Sequence, residues 1–335
     1  MSLKTDAVFE GGGVKGIGLV GAVAEIEKAG YQFQNIAGTS AGAIVAALLA
    51  VGYTAAEIRS ELAMLNYNDF KDEDLLDKFG IIGKTLSIGF EYGIYAGDYF
   101  EFWIERLLSA KGKTTFGSII APDYVEGKTT ERYKYRLQLI ATDITDRRLL
   151  VLPEDLRSFG FVPDELSISH AVRMSMSIPV FFEPVLLKDI SGRPHIIIDG
   201  GVLSNYPIWL LDDGTEDPPW PTFGFKLVEP DKRQLKGPLW NPITNPVGYF
   251  KAIAGTLMDG HDNYHISKSR GNFDRTIGIP TVVNIQGAEK EIRTTDFDIT
   301  PAESEALYNN GEESARRFIQ GWDFEKWKST YRKLR

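Results

Sequence analysis

The chain opens on a short apolar run, Ala7 to Phe9, which ends in a glycine cluster, Gly11-Gly12-Gly13-Val14-Lys15-Gly16. Behind the cluster, Ile17, Val20, Val23 and Ile26 recur at helical spacing, and Gly30 supplies the stop. A second short strand, Gln34 to Ala37, enters Gly38-Thr39-Ser40-Ala41-Gly42, and the alanine-rich stretch from Ala41 to Val51 predicts another helix. Two strands joined through a helix are normally parallel neighbours with a right-handed crossover, so the loops that follow them share one edge of the sheet. Gly11 to Gly16 and Ser40 are therefore expected side by side, at the carboxyl edge where open parallel sheets bind ligands.

Farther along, Thr54 to Leu65 and Ala96 to Leu108 have the spacing of helices, and Tyr135 to Thr142 that of a buried strand. Ser167 to Met176 predicts a helix stopped before Pro179; Val185 to Leu187 and His195 to Ile198 are strand-like, the second ending in Asp199-Gly200-Gly201. Lys78 to Tyr95 is rich in glycine and aromatic residues without periodicity, and is read as a loop or lid whose apolar side chains either meet lipid or fill the core. Gly214 to Pro221 and Glu229 to Pro246 are turn-rich, but neither is long enough for a linker. The expectation is one domain over residues 1–335, with core motifs in 7–210 and a helical extension over about 245–335. Within that extension Asn245-Pro246 opens a helix, and Thr300-Pro301-Ala302-Glu303 has the form of a capping box. Phe324, Trp327, Tyr331 and Leu334 then line one side of a basic terminal helix, which either docks on the protein or lies on anionic lipid.

Composition narrows the functions open to this layout. A formal charge of -9 argues against a nucleic-acid partner, which needs a basic face. The chain has no cysteine, so thiolate chemistry, disulfides and cysteine-bound metals are excluded. The first residues lack the pattern of a secretory signal, and the longest apolar stretch is about half of the ~20 residues that span a bilayer. A cytoplasmic protein, peripheral to a membrane if it meets one, is expected.

Gly38-x-Ser40-x-Gly42 between a strand and a helix has the pattern of a nucleophile elbow, and the glycine loop offers main-chain N–H groups for a developing oxyanion. Gly11-x-Gly13-x-x-Gly16 also matches a dinucleotide fingerprint, but the second strand ends in Gly38-Thr39-Ser40 without the acidic residue that would hold a ribose. A phosphate-binding P-loop fails on the spacing before Lys15 and the absence of Ser or Thr after it. A serine nucleophile needs a base. Of the four histidines, His195 sits in an apolar run, where a core or edge role suits it best, and His261 and His265 lie a helical turn apart without a zincin glutamate. His170 falls on a predicted helix, and an α/β-hydrolase would place its serine after more strands than two. Asp199 remains, at the end of Ile196-Ile197-Ile198, with a turn or helix cap as its competing explanation.

Together, Gly11-Gly12-Gly13-Val14-Lys15-Gly16, Gly38-Thr39-Ser40-Ala41-Gly42 and Asp199-Gly200-Gly201 resemble the patatin-like phospholipase family in order and spacing. Ala171 to Phe181, Ala141-Thr142-Asp143 and Asn205-Tyr206-Pro207 also resemble family segments, with Met174 where the family has a small residue. The resemblance implies an α/β protein, a three-layer α/β/α sandwich with a mostly parallel central sheet, and a Ser–Asp dyad without histidine. On this chain it implies Ser40 as nucleophile, Asp199 as base, Gly11, Gly12, Gly13 and Ala41 as oxyanion donors, and Lys15, Gly16, Gly38, Gly42, Gly200 and Gly201 as supporting positions. The expected substrate is a lipid carboxylic ester, with no metal or cofactor. The competing class is a non-catalytic lipid- or protein-binding module on the same fold.

Overall fold

A computed structural model describes residues 3–65, 93–95, 97–212, 214–229, 271–294 and 296–332. Almost all of the proposed lid segment, the helix expected after Asn245, and both His261 and His265 lie outside the described residues.

Strand β1 (Leu3–Phe9) runs through the glycine loop into helix α1 (Gly16–Lys28), and β2 (Tyr31–Gly38) turns at Ser40 into α2 (Ala41–Val51). The two strands are parallel, with Phe9 opposite Gly38, so both loops open on one sheet edge as the crossover argument requires. Helix α3 (Ala55–Ala63) starts on a Thr54–Glu57 capping box, and α4 (Asp98–Ala110) follows the three-residue strand β3 (Gly93–Tyr95). Then come β4 (Leu137–Asp143), β5 (Arg148–Leu152), α5 (Ile168–Ser175), β6 (Val180–Phe182), β7 (Val185–Lys188) and β8 (Pro194–Asp199). The remainder supplies β9 (Thr222–Val228), β10 (Thr276–Pro280), a hairpin of β11 (Val282–Ile285) and β12 (Ala288–Glu291), α6 (Pro301–Gly321) and α7 (Phe324–Tyr331).

The result is an α/β sandwich with a mostly parallel sheet ordered β10-β9-β1-β2-β4-β8-β7, and β5 paired to β4. Ala7, Phe9, Ile36, Leu139 and Phe225 point into one core under the helices, while Val8, Ala37 and Ile140 point the other way, under Tyr206, Ile208 and Leu210. That alternation is the period-two signature of a strand buried on both faces. Among the described residues, Tyr133, Leu149 and Val151 pack on the second face beside this turn-rich segment.

The region expected to be a helical extension differs. Residues 276–291 form three strands, and β10 pairs in parallel with β9, which pairs with β1, so the sheet continues into the C-terminal part. Helix α6 then packs on α1 at van der Waals backbone contact. A Cβ on Gly21 would fall 2.0 Å from the Tyr308 carbonyl oxygen, and one on Gly311 would fall 2.0 Å from that of Gly18. The C-terminal helix therefore braces the helix that leaves the glycine loop.

Helix α7 docks on the protein. Trp327 is 5% exposed, donates from Nε1 to the Gly271 carbonyl at 2.9 Å, and has the guanidinium groups of Arg275 and Arg332 over its ring. Phe324 and Tyr331 beside it are half-buried. No helix among the described residues is long and apolar enough to cross a membrane.

Candidate active site

The site begins with an arrangement of strands. Leu139 of β4 faces Gly38 on one side and Leu152 on the other, and Ala141 faces Leu150 and Asp199. A strand has two edges, and β5 occupies one of them along Leu139 to Asp143. Strands β2 and β8 must therefore share the opposite edge, running toward each other, with their carboxyl ends two register positions apart. Gly38, two residues before Ser40, thus approaches Asp199 end to end, although 159 positions separate the two side chains in sequence.

Ser40 has φ 55° and ψ -129°, a backbone state costing a non-glycine residue roughly 1–3 kcal/mol. Close packing holds it there. A Cβ on Gly38 would lie 2.3 Å from the Gly42 carbonyl oxygen, and a Cβ on Gly42 2.5 Å from that of Phe9. The Ser40 N–H donates to Ser175 Oγ at 3.0 Å, and the Thr39 hydroxyl to the Ser204 carbonyl at 3.1 Å. The elbow is thus fastened to α5 and to the segment after Asp199.

Asp199 is fully buried. Its Oδ1 accepts the Gly201 N–H at 2.7 Å, while Oδ2 has no hydrogen-bond partner. Burial pushes this carboxyl up to about 7, against smaller opposing effects of the Gly201 N–H and the Ser40 hydroxyl. The hydroxyl is thus near enough to act on the carboxyl, but it points to Met176 Sδ at 3.7 Å, a weak acceptor, rather than completing a bond to Oδ2. Gly200 allows the approach, since a Cβ there would lie 2.3 Å from the Ile140 carbonyl oxygen.

The glycine loop divides into used and unused donors. Gly11, expected among the oxyanion donors, gives its N–H to the Asn205 carbonyl at 3.0 Å, and Asn205 Nδ2 returns a bond to the Gly11 carbonyl at 3.1 Å. Gly11 is thereby removed from the donor set. Val14 and Lys15 N–H groups go to the Thr294 and Gly12 carbonyls, whereas Gly12, Gly13 and Ala41 donate to no acceptor among the described residues. Gly16 and Ala41, the first residues of α1 and α2, are neighbours, with a Cβ on Gly16 falling 3.4 Å from that of Ala41. Two positive helix ends thus meet beside Ser40. Lys15 is 4% exposed, and its Nζ pairs with Glu229 at 3.1 Å, so it anchors the loop to the end of β9.

The described histidines take no part in this constellation. His195 is buried between Asp143 and Asp189, at 2.8 and 3.4 Å, and sits four residues before Asp199 on the same strand, about 13 Å away. His170 pairs with Glu101 at 3.1 Å. Asp143, Asp146 and His195 bring oxygen and nitrogen atoms within 4.8 Å of one another, the spacing of a cation site. Arg193 already holds Asp146 at 2.9 and 2.8 Å, and Arg148 faces Asp143, so guanidinium groups supply the positive charge there.

Beside the free donors lies an apolar cavity whose walls include Gly13, Ala41, Ile44, Phe100, Met176 and Phe297. Thr294 and Phe297 reach the site from beyond β12, and Leu227 of β9 lies against Gly12. Sequence reasoning assigned none of these three a role. The Phe223, Phe225, Leu227 alternation was the available signal for β9, while nothing local marks Thr294 or Phe297.

A family model for patatin-like phospholipases matches residues 7–212. The chain belongs to this family. This patatin-like chain is 36% identical over 324 residues to uncharacterized protein YqhO of Bacillus subtilis (strain 168), covering 95% of this chain and 99% of that one. It is 26% identical over 219 residues to the cUMP-AMP-activated phospholipase of Escherichia coli, covering 62% of this chain and 58% of that protein. Among solved structures, VipD from Legionella pneumophila aligns with a TM-score of 0.55 at 18% identity, over 94% of this chain and 66% of that one, a likeness of fold. The family match ends at residue 212, so β9, β10 and the Thr294–Phe297 segment belong to the part of the patatin-like chain outside it.

Proposed function

We propose that this patatin-like chain hydrolyses carboxylic esters of lipids, with phospholipids or lysophospholipids as substrates, through a Ser40–Asp199 dyad. The observation that carries the reading is one buried, unpartnered carboxylate oxygen beside a strained serine, on the same sheet edge as the main-chain N–H groups of Gly12, Gly13 and Ala41, which have no acceptor among the described residues. Buried polar groups are nearly always paired, so their coincidence at one sheet edge calls for an incoming partner. An ester carbonyl, with its developing oxyanion and transferable proton, fits all of them.

In this mechanism the Ser40 hydroxyl turns from Met176 toward Oδ2, and its oxygen bonds to the ester carbon as Asp199 takes the proton. The carbonyl oxygen becomes an oxyanion, held by the N–H groups of Gly12, Gly13 and Ala41 under the positive ends of α1 and α2. Collapse breaks the carbon–oxygen bond to the alcohol, which leaves with the proton from Asp199. Water then attacks the acyl-enzyme with Asp199 again as base, releasing the acid and restoring Ser40. An alkoxide needs less help to leave than an amine, which favours esters over peptides for a base without a histidine. The apolar cavity beside Gly13 and Ala41 suits an acyl chain.

Incubation of the purified protein with a panel of phospholipids, lysophospholipids and neutral lipids, with products identified by mass spectrometry, tests the proposal. Free fatty acid is expected from wild type and not from Ser40→Ala; no release from any lipid contradicts it.

A further inference from the structure

We infer that Phe297, outside the matched family region, sets the length of acyl chain that the site accepts; this rests on the lipid-ester reading above. Phe297 borders two cavities. The inner one is the apolar cavity beside Ser40, also walled by Ile17, Val45, Ile178 and Phe182. The outer one is charged, lined by Glu289, Lys290, Glu291, Arg293, Asp296 and Asp298. Phe297 lines both.

The ring is held where it stands. It meets Phe181 edge-on at 5.8 Å between centroids, and its segment is pinned before and after it. On one side the Thr294 carbonyl accepts the Val14 N–H at 3.2 Å, directly over Gly13, whose φ of +55° and lack of a Cβ allow the contact. Asp296, also before the ring, accepts the Arg293 N–H at 2.9 Å; after it, the Ile299 N–H donates to the Asp296 carbonyl at 3.0 Å, and Thr300 caps α6. The same segment thus fastens the glycine loop and presents the partition.

An acyl chain attached to Ser40 and lying in the inner cavity gains from each methylene while it remains among apolar walls. Past Phe297 the next methylene meets charged groups and water, and the gain ends. The ring therefore acts as a ruler. Removing it joins the two cavities and lets longer chains through; enlarging it shortens the room available.

The test is the chain-length profile of kcat/KM for p-nitrophenyl esters from butanoyl to hexadecanoyl, measured on wild type, Phe297→Ala and Phe297→Trp. The hexadecanoyl-to-butanoyl ratio is expected to rise about tenfold or more in Phe297→Ala and to fall by a similar factor in Phe297→Trp. Hydrolysis with ratios unchanged in both variants overturns the assignment and leaves the hydrolase reading intact. A second arm uses Ser40→Ala, with and without each Phe297 substitution, and measures displacement of a fluorescent fatty acid by saturated acids of increasing length. If wild type hydrolyses none of the esters, the hydrolase reading fails, and this arm decides the role of Phe297. A length optimum that moves with the ring supports the ruler; an optimum that stays fixed overturns it.

Discussion

Asp199 and Ser40 are neighbours because their strands run toward each other along one edge of β4, with Asp199 opposite Ala141 and Gly38 opposite Leu139. A carboxyl delivered in this way sits inside the sheet, and its loss of water pushes its pKa up to about 7. As a base it must be ionised, so kcat/KM for a soluble ester is expected to rise with pH through an acid limb near 7. A limb near 4 in the pH–rate profile would contradict Asp199 as the base.

The same shift makes a stability prediction. Between the ordinary aspartate value of 3.8 and about 7, the unfolded chain has released this proton and the folded protein retains it. Stability contributed by the neutral carboxyl is therefore complete below about 4 and lost as pH rises through about 7. Asp6, raised to about 7 by burial, adds a similar loss in wild type, so a comparison with Asp199→Asn isolates Asp199. The melting temperature of Asp199→Asn relative to wild type should climb from pH 4 to 7 and level off above it. A difference independent of pH would contradict the buried, neutral carboxyl.

Gly42 presses on the strand that leads to the glycine loop. A methyl group there would lie 2.5 and 2.6 Å from the carbonyl oxygens of Phe9 and Glu10, backbone atoms that move only with β1. Gly42→Ala should cost more than the ~1–3 kcal/mol of ordinary overpacking and lower ester turnover in whatever protein folds. Wild-type melting and turnover would show that the elbow has slack.

Trp327 holds the last helix down, buried against two guanidinium groups and bonded to the Gly271 carbonyl. Trp327→Ala is expected to lose roughly 3–5 kcal/mol in urea unfolding, as buried tryptophans do. Unchanged stability would mean that the helix is not fastened there.

What could be read from the sequence was what local chemistry dictates. The first two strands and helices, the elbow, the α5 helix and the strand ending at Asp199 each have a local signal, an apolar run or helical spacing bounded by glycine, proline or a cap. The pairing of Ser40 with Asp199 was reached by eliminating histidines and by resemblance, because no local rule places strand ends that meet along a third strand. The loss of the Gly11 donor to Asn205 was illegible for the same reason, since the two residues lie 194 positions apart. Strand β9 was missed because Thr222 to Val228 follows a proline-rich turn and contains Gly224, whose missing side chain makes room for Tyr206. Thr294 and Phe297 had no motif to announce them; their place depends on α6 closing against α1.

The most direct test of the dyad is labelling with a fluorophosphonate, followed by intact-mass analysis and peptide mapping. One adduct on Ser40 is predicted in wild type, absent in Ser40→Ala and formed about 10²–10⁴-fold more slowly in Asp199→Asn. An adduct on another residue, or labelling of Asp199→Asn at the wild-type rate, would contradict the account.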